Sequence, residues 1–204
     1  LPETTAKDKL IICYNHHMSY AVYTTRGFIL GSTPSGEASK LYYIYTEDFG
    51  LIFAKAQSVR LLTSKLRFNL EEYSLGTFSL VRGKEVWRLT GAGEKVTHVR
   101  FARIHARVLT LVRRLVQGEE KNPELFNTLE FMMSGIPSEA PEDMIAFESL
   151  ILIHVLSSLG YIDAKVLVGI DRDAPPSLVH MENVKTKKRE VVAEINKALR
   201  ETQL

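Results

Sequence analysis

The feature that most constrains the fold is a run of five short segments rich in Val, Ile, Tyr, Phe and Thr. Such segments, bounded by turn residues, are typical of β-strands. Five short strands cannot form a large sandwich, and closing them into a small Greek-key barrel removes the sheet edges. The predicted strands are Tyr20–Leu30, Lys40–Thr46, Gly50–Gln57, Leu70–Val81 and Glu85–Gly91.

After Gly93 the period of the apolar residues changes from two to about 3.6, which predicts helices. The first helix lies within THVRFARIHARVLTLVRRLVQG and is amphipathic. A second helix is predicted to begin at Pro123 with Asn122 as its N-cap, and an apolar third helix ends at Gly160. The stretch from 162 to 178 is weakly strand-like and then a loop, and residues 183–201 predict one last helix. The predicted fold class is therefore α+β, a five-stranded OB-fold β-barrel followed by an α-helical domain.

The first seventeen residues differ from the rest, and Met18 stands directly before the first strand-like run. We expect residues 1–17 to be a leader or remnant outside the fold. The expected domains are then an OB-fold nucleic-acid-binding domain over 18–93 and an α-helical domain over 94–204.

Charge is divided unevenly along the chain. Residues 18–120 hold 15 Lys or Arg against 9 Asp or Glu, whereas residues 121–204 hold 9 against 13. A basic half of this kind favours a polyanion-binding face. The longest apolar run falls short of a membrane span, and the single cysteine, Cys13, fits a reducing compartment. We expect a cytoplasmic, nucleoid-associated protein.

Motifs of enzymes are missing: the sequence has no P-loop, no dinucleotide-binding glycine fingerprint, no nucleophile elbow and no HExxH. Asp171 and Asp173 could hold Mg²⁺, but Arg172 between them favours a solvated turn. His154, on an apolar helix face, is most simply a hydrogen-bonded core histidine. One cysteine cannot supply a structural zinc site. We expect no catalytic activity, no metal and no cofactor.

The stretch from Gly50 to Leu70 holds four cations and no acidic residue. Phosphates are the obvious counter-charge, because releasing condensed counterions from nucleic acid rewards unpaired cations. The alternative is that scattered Lys and Arg only keep the barrel soluble. The predicted DNA-binding residues are Lys55, Arg60, Lys65 and Arg67 of this stretch, Arg26, Arg82, Lys84 and Arg88 on the same barrel, and Arg103 and Arg107 on the first helix.

Aromatic residues of the barrel could stack on bases. The candidates are Trp87 and the adjacent pair Tyr42 and Tyr43. Because side chains alternate along a strand, one residue of an adjacent pair lies in the core.

Several motifs, in order and at matching spacing, resemble the RecO family of bacterial recombination mediators. They are a Gly-Glu before the second strand, the Thr-Glu-Asp-Phe-Gly turn, KAQSVR with a following SKL, NPELF, and AFESLILIHVLSSLGY. The similarity covers Met18 to about Tyr161. Many relatives carry a four-cysteine zinc site after the Leu-Gly-Tyr helix, where this chain reads IDAKVLVGIDRDAPPSLVH without cysteine.

The resemblance implies a non-enzymatic DNA-repair protein that binds single- and double-stranded DNA and anneals complementary strands. It also implies that the protein acts with RecR to help RecA load on strands coated by single-strand-binding protein. We expect the acidic tail of that coat protein to dock between helices, with Arg113 or Arg114 near its carboxylates. An OB-type RNA-binding module and a non-catalytic interaction adaptor remain alternatives.

Overall fold

The computed structural model describes residues 21–97, 101–134, 140–170 and 175–202. The strands come first and the helices follow. The strands are Val22–Ser35 (β1), Ser39–Thr46 (β2), Gly50–Ala56 (β3), Leu75–Val81 (β4) and Trp87–Val96 (β5). The helices are Ala102–Leu115 (α1), Pro123–Met133 (α2), Pro141–Ser158 (α3), Ala164–Val168 (α4), Leu178–Thr186 (α5) and Lys188–Glu201 (α6).

The strands form a closed barrel in the order β1-β2-β3-β5-β4. All neighbours are antiparallel except β3 and β5, which pair in parallel through Ala54 with Trp87 and Lys55 with Arg88. Alternate residues such as Ile44, Ile52 and Phe78 fill the interior. Both the α+β class and the predicted OB-type barrel are confirmed.

Strand boundaries differ from the prediction where tertiary pairing overrides local turn signals. β1 continues to Ser35 through an irregularity at Gly31, so that the turn falls at its end. β4 begins only at Leu75, because the chain first turns at Glu72 and Tyr73, where Tyr73 has a φ of +65°. β5 continues to Val96, three residues past the predicted domain boundary at 93.

The helical half is organised around α3, whose buried residues include Phe147, Leu150 and Ile153. The side chain of Asn122 accepts a hydrogen bond from the Leu125 backbone N–H and caps α2, as the sequence predicts. Across the described ranges, no helix has the length and apolar character needed to cross a bilayer.

Two predictions for the C-terminal quarter are wrong. Residues predicted as weakly strand-like form α4, because the Asp163 carboxylate accepts from the backbone N–H of Lys165 and Val166. Gly169, in the left-handed conformation, ends this helix. The single last helix is in fact α5 and α6, which separate at Lys187.

The barrel and the helices share one apolar core. Phe28 of β1, Tyr45 of β2 and Leu51 of β3 point outward from the barrel and belong to the same buried cluster as α1, α2 and α3. The segment between α1 and α2 also bonds to the barrel directly. Leu51 N–H donates to the Gly118 carbonyl at 3.2 Å, and the Tyr45 hydroxyl donates to the Asn122 carbonyl at 3.1 Å.

Gly50 allows this close approach. Its φ is +67°, and a Cβ at this position would lie 2.2 Å from the Glu120 carbonyl oxygen. A side chain here would therefore meet rigid backbone as well as adopting a strained conformation.

We predict that Gly50→Ala lowers the free energy of unfolding by about 2 kcal/mol or more, because it adds a backbone clash to the conformational penalty. Gly36→Ala is the matched control, since Gly36 has a φ of +74° with nothing within 4 Å of its Cβ. The control should cost only about 1 kcal/mol. Equal losses for the two variants in urea titrations would contradict the close contact.

Candidate nucleic-acid interface

The outer face of β2, β3 and β5 carries aromatic and cationic side chains at adjacent positions. Alternation turns Ile52, Ala54 and Ala56 of β3 into the barrel and leaves Phe53 and Lys55 outside. Phe53 stands opposite Tyr43 on β2, and Lys55 stands opposite Arg88 on β5. An aromatic pair and a cationic pair therefore follow one another along this face.

Tyr43 and Phe53 pack edge to face, with ring centroids 5.2 Å apart. The Arg113 guanidinium of α1 lies over the Tyr43 ring at 3.8 Å from its centroid. Gly31, with a φ of +151°, makes room for this guanidinium, because a Cβ there would lie 2.5 Å from Arg113 Nη1. The helix thus covers Tyr43 and leaves Phe53, at 40% exposure, as the accessible ring.

Lys55 and Arg88 lie next to each other without a neutralising carboxylate. Neither forms an ion pair with any residue that the structure describes. Lys84, in the exposed turn between β4 and β5, is likewise unpaired within the described ranges. Cations held side by side repel each other, so this surface favours an anionic ligand.

Five more cations of the predicted DNA- and partner-binding sets lie on two other parts of the surface. Their side chains are exposed and make no ion pair among the described residues. They are Arg60, Lys65 and Arg67 in the connection between β3 and β4, and Arg103 and Arg114 on α1. Arg100, which the sequence places on the same basic side of α1, lies outside the described residues.

Arg26 has a different environment from that of the other barrel cations. Its Nε donates to Glu47 Oε2 at 2.9 Å, and its guanidinium also bonds to Glu130 of α2. The centroid of the Phe126 ring lies 5.4 Å from the Arg26 guanidinium carbon. The hydrogen bonds to Glu47 and then to Glu130 raise the pKa of Arg26 above its ordinary value. These contacts favour a role in holding the barrel to α2.

Arg82 is also paired, with Glu119 at 3.1 Å, and its guanidinium lies 5.1 Å from the Trp87 ring centroid. Glu119 in turn accepts from the Trp87 indole N–H at 2.9 Å. On α1, Arg107 donates to both carboxylate oxygens of Glu148 at 3.1 and 3.2 Å. The structure thus supplies carboxylates for three of the ten predicted DNA-binding cations: Arg26, Arg82 and Arg107.

The base-stacking prediction is wrong for Trp87, and Tyr42 is the core member of its adjacent pair, as alternation along the strand predicts. Trp87 and Tyr42 are each only 2% exposed and belong to the barrel interior. Burial, and then the charge of Glu72, raises the pKa of the Tyr42 hydroxyl. Sequence reasoning missed Phe53, although its position two residues before Lys55 on one strand was a usable signal.

A cavity of about 320 Å³ opens at the junction between the barrel and the helices. Apolar side chains of Leu115, Leu125 and Leu159 line it, together with Tyr161 and the cation Lys121. Arg114 directly precedes Leu115 in the chain. Polar residues share the lining, which also includes Gln117, Glu120, Asn122 and Ser158, and Lys121 Nζ lies 4.0 Å from Asp48 Oδ1. A cavity of this mixed lining, with cations beside it, offers contacts to an acidic segment that ends in apolar residues.

His154 is buried on α3, as predicted, but its Nε2 has no hydrogen-bond partner among the described residues. Burial, and then the nearby His180, lowers the pKa of His154 to about 4. Within the described part of the chain, no cluster of three or more metal-ligating side chains is present. Cys13, His16, His17, Asp171 and Asp173 lie outside that part.

The closed barrel, its strand order and the helices that follow it define an OB-fold protein with an α-helical extension. Residues 18–93 match the family model described as "Recombination protein O N terminal". The chain therefore belongs to the RecO family, as its motifs predict.

Curated relatives agree over a longer part of the chain. A protein named DNA repair protein RecO from Dehalococcoides mccartyi strain CBDB1 is 39% identical over 149 residues, which cover 68% of this chain and 56% of the relative. The protein of that name from Rubrobacter xylanophilus is 29% identical over 132 residues, covering 54% and 53%. One from a Cyanothece species is 24% identical over 147 residues, covering 69% and 50%. The matched part thus spans about half the length of these relatives.

Proposed function

We propose that this protein acts in DNA repair by binding DNA on the outer face of β2, β3 and β5. The observation that carries the proposal is the pair Lys55 and Arg88, which lies beside the exposed Phe53 ring and has no carboxylate partner among the described residues. OB-type barrels use this face and its adjoining turns for oligonucleotides. The relatives named DNA repair protein RecO support the same substrate.

The outer face of β2, β3 and β5 has the chemistry to bind a single DNA strand whose bases are accessible. Phosphates would lie against Lys55, Arg88 and Lys84, while a base would stack on Phe53. Such contacts discriminate little between sequences, because every base has a π-face. Duplex DNA would be held through its phosphates alone. No step of this function requires a catalytic residue or a cofactor.

Annealing requires that two mutually repelling strands be held at once, which calls for cations on more than one surface. Arg103 and Arg114 on α1 provide a second unpaired set among the described residues. We therefore propose that the protein anneals complementary strands and, with RecR, helps RecA to load on strands coated by single-strand-binding protein.

The coat protein's acidic tail is proposed to occupy the cavity beside Leu115. Arg113 is less available for this role than expected, because its guanidinium lies over Tyr43. Arg114 and Lys121 would instead meet the carboxylates, while Leu159 and Tyr161 would contact the apolar end of the tail. An RNA-binding module and a non-catalytic interaction adaptor are the alternatives. Comparing single-stranded DNA with RNA of the same sequence would separate the first from our proposal, and an adaptor would show no salt-dependent DNA binding.

We predict that Lys55→Ala/Arg88→Ala weakens binding to a labelled single strand at least tenfold at low salt. The slope of log K against log salt should become shallower by about 1.4, since each phosphate contact on a single strand contributes about 0.7. The control Lys188→Ala/Arg189→Ala removes one Lys and one Arg from α6, where both side chains are exposed and form no ion pair with the described residues. An equal loss in the control would mean that net charge alone drives binding.

We also predict that the protein speeds annealing of coated complementary strands, and that this gain disappears when the coat protein lacks its acidic tail. Tyr161→Ser should reduce the gain several-fold without changing binding to bare strands, because Tyr161 lines the cavity and lies outside the barrel. Annealing rates from strand-pairing fluorescence would measure both effects. If tail removal leaves the rate unchanged, the proposed partner contact is wrong.

A further inference from the structure

The connection between β3 and β4 exposes three large apolar side chains within eight residues. Leu62 is 83% exposed, Phe68 is 63% exposed and Leu61 is 48% exposed. Isolated exposed apolar residues are ordinary on protein surfaces, but a cluster that includes an aromatic ring marks a contact surface. None of these three residues lines the cavity beside Leu115.

The exposed side chains belong to a segment that the barrel holds in place. Val59 and Leu70 of the same connection are buried in the barrel interior, and Leu66 packs against that interior. Asn69 Nδ2 donates to the Ala92 carbonyl at 2.8 Å, which ties the 3₁₀ turn to β5. The connection therefore already buries one set of apolar residues and presents the other set from a fixed position.

Cations alternate with these apolar residues. Arg60, Lys65 and Arg67 are exposed and form no ion pair with the described residues. The guanidinium of Arg67 lies 4.8 Å from the centroid of the Phe68 ring. The stretch from Gly50 to Leu70 contains no acidic residue. An occupant of this surface must offer both negative charge and apolar faces.

A single nucleic-acid strand offers both, because its phosphates alternate with bases whose faces are free to stack. A duplex offers the phosphates but keeps its bases stacked inside. The position of the segment also favours a nucleic-acid strand as the occupant. Arg60 lies just past the end of β3, five residues after Lys55, so one bound strand can reach both cations. Arg60 further donates from Nη1 to the Gly36 carbonyl at 3.4 Å, beside the β1–β2 turn.

We propose that the β3–β4 connection is a base-contacting surface that selects single-stranded over duplex nucleic acid. Phe68 and Leu62 contact unstacked bases, while Arg60, Lys65 and Arg67 contact the phosphates between them. This inference rests on the proposed DNA binding of the barrel. It adds to that function a second contact surface, outside the Lys55 and Arg88 face, and a reason for strand preference.

The test removes apolar surface and leaves the charge unchanged. Leu62→Ser/Phe68→Ser is compared with Val166→Ser/Val179→Ser, which alters two equally exposed apolar residues of α4 and α5. Fluorescence anisotropy would give the dissociation constants for a labelled single strand and for the duplex of the same sequence. Thermal unfolding of each variant would confirm that the fold is intact.

We expect the Leu62/Phe68 variant to bind the single strand about tenfold more weakly and the duplex within twofold of the parent, with an unchanged salt slope. The control should match the parent on both ligands. An unchanged preference for the single strand, in a parent that binds DNA, would overturn this inference alone. A parent that binds neither ligand would instead overturn the proposed function.

Discussion

The position of the barrel on the helices depends on the apolar core that the two share, and Arg26 forms its ion pairs beside that core. This guanidinium joins Glu47, at the β2–β3 turn, to Glu130 of α2, and it does so beside the Phe126 ring. The neighbouring contact of Gly50 with Glu120 brings the α1–α2 segment against the same turn. Together they fix which barrel surface the helices cover. Phe28 and Leu51 become part of the shared core, and the face of Phe53 and Lys55 stays open.

The same arrangement sorts the cations of a basic protein into two groups. Arg26, Arg82 and Arg107 have carboxylate partners, and Arg113 lies on an aromatic ring. Exposed ion pairs contribute little to stability, but several at one junction fix its geometry. Cations without such partners, above all Lys55 and Arg88, keep their charge available for phosphates. The sorting gives a physical basis for separating residues that maintain the fold from residues that we propose to bind DNA.

The local sequence pattern was sufficient to predict the barrel, because the alternation of apolar residues and the turn residues are both properties of a few neighbouring residues. It placed one of Tyr42 and Tyr43 in the core correctly. It could not separate Arg26 from Arg88, because Glu130 lies 104 residues from Arg26 in the chain. It also missed the burial of Trp87, whose indole partner, Glu119, comes from the α1–α2 segment. The short helix α4 was missed because its apolar pattern is only five residues long, although Asp163 and Gly169 are ordinary capping residues.

The division between paired and unpaired cations is tested most directly by measuring stability and DNA affinity on the same two variants, Arg26→Ala and Arg88→Ala. Arg26→Ala should lower the free energy of unfolding by only about 1 kcal/mol, because the Arg26 side chain is 42% exposed and solvent weakens its ion pairs. Its affinity for single-stranded DNA should stay unchanged. Arg88→Ala should keep stability within about 0.5 kcal/mol and weaken the affinity several-fold. The account would be contradicted if Arg26→Ala weakened DNA binding as much as Arg88→Ala while stability stayed the same.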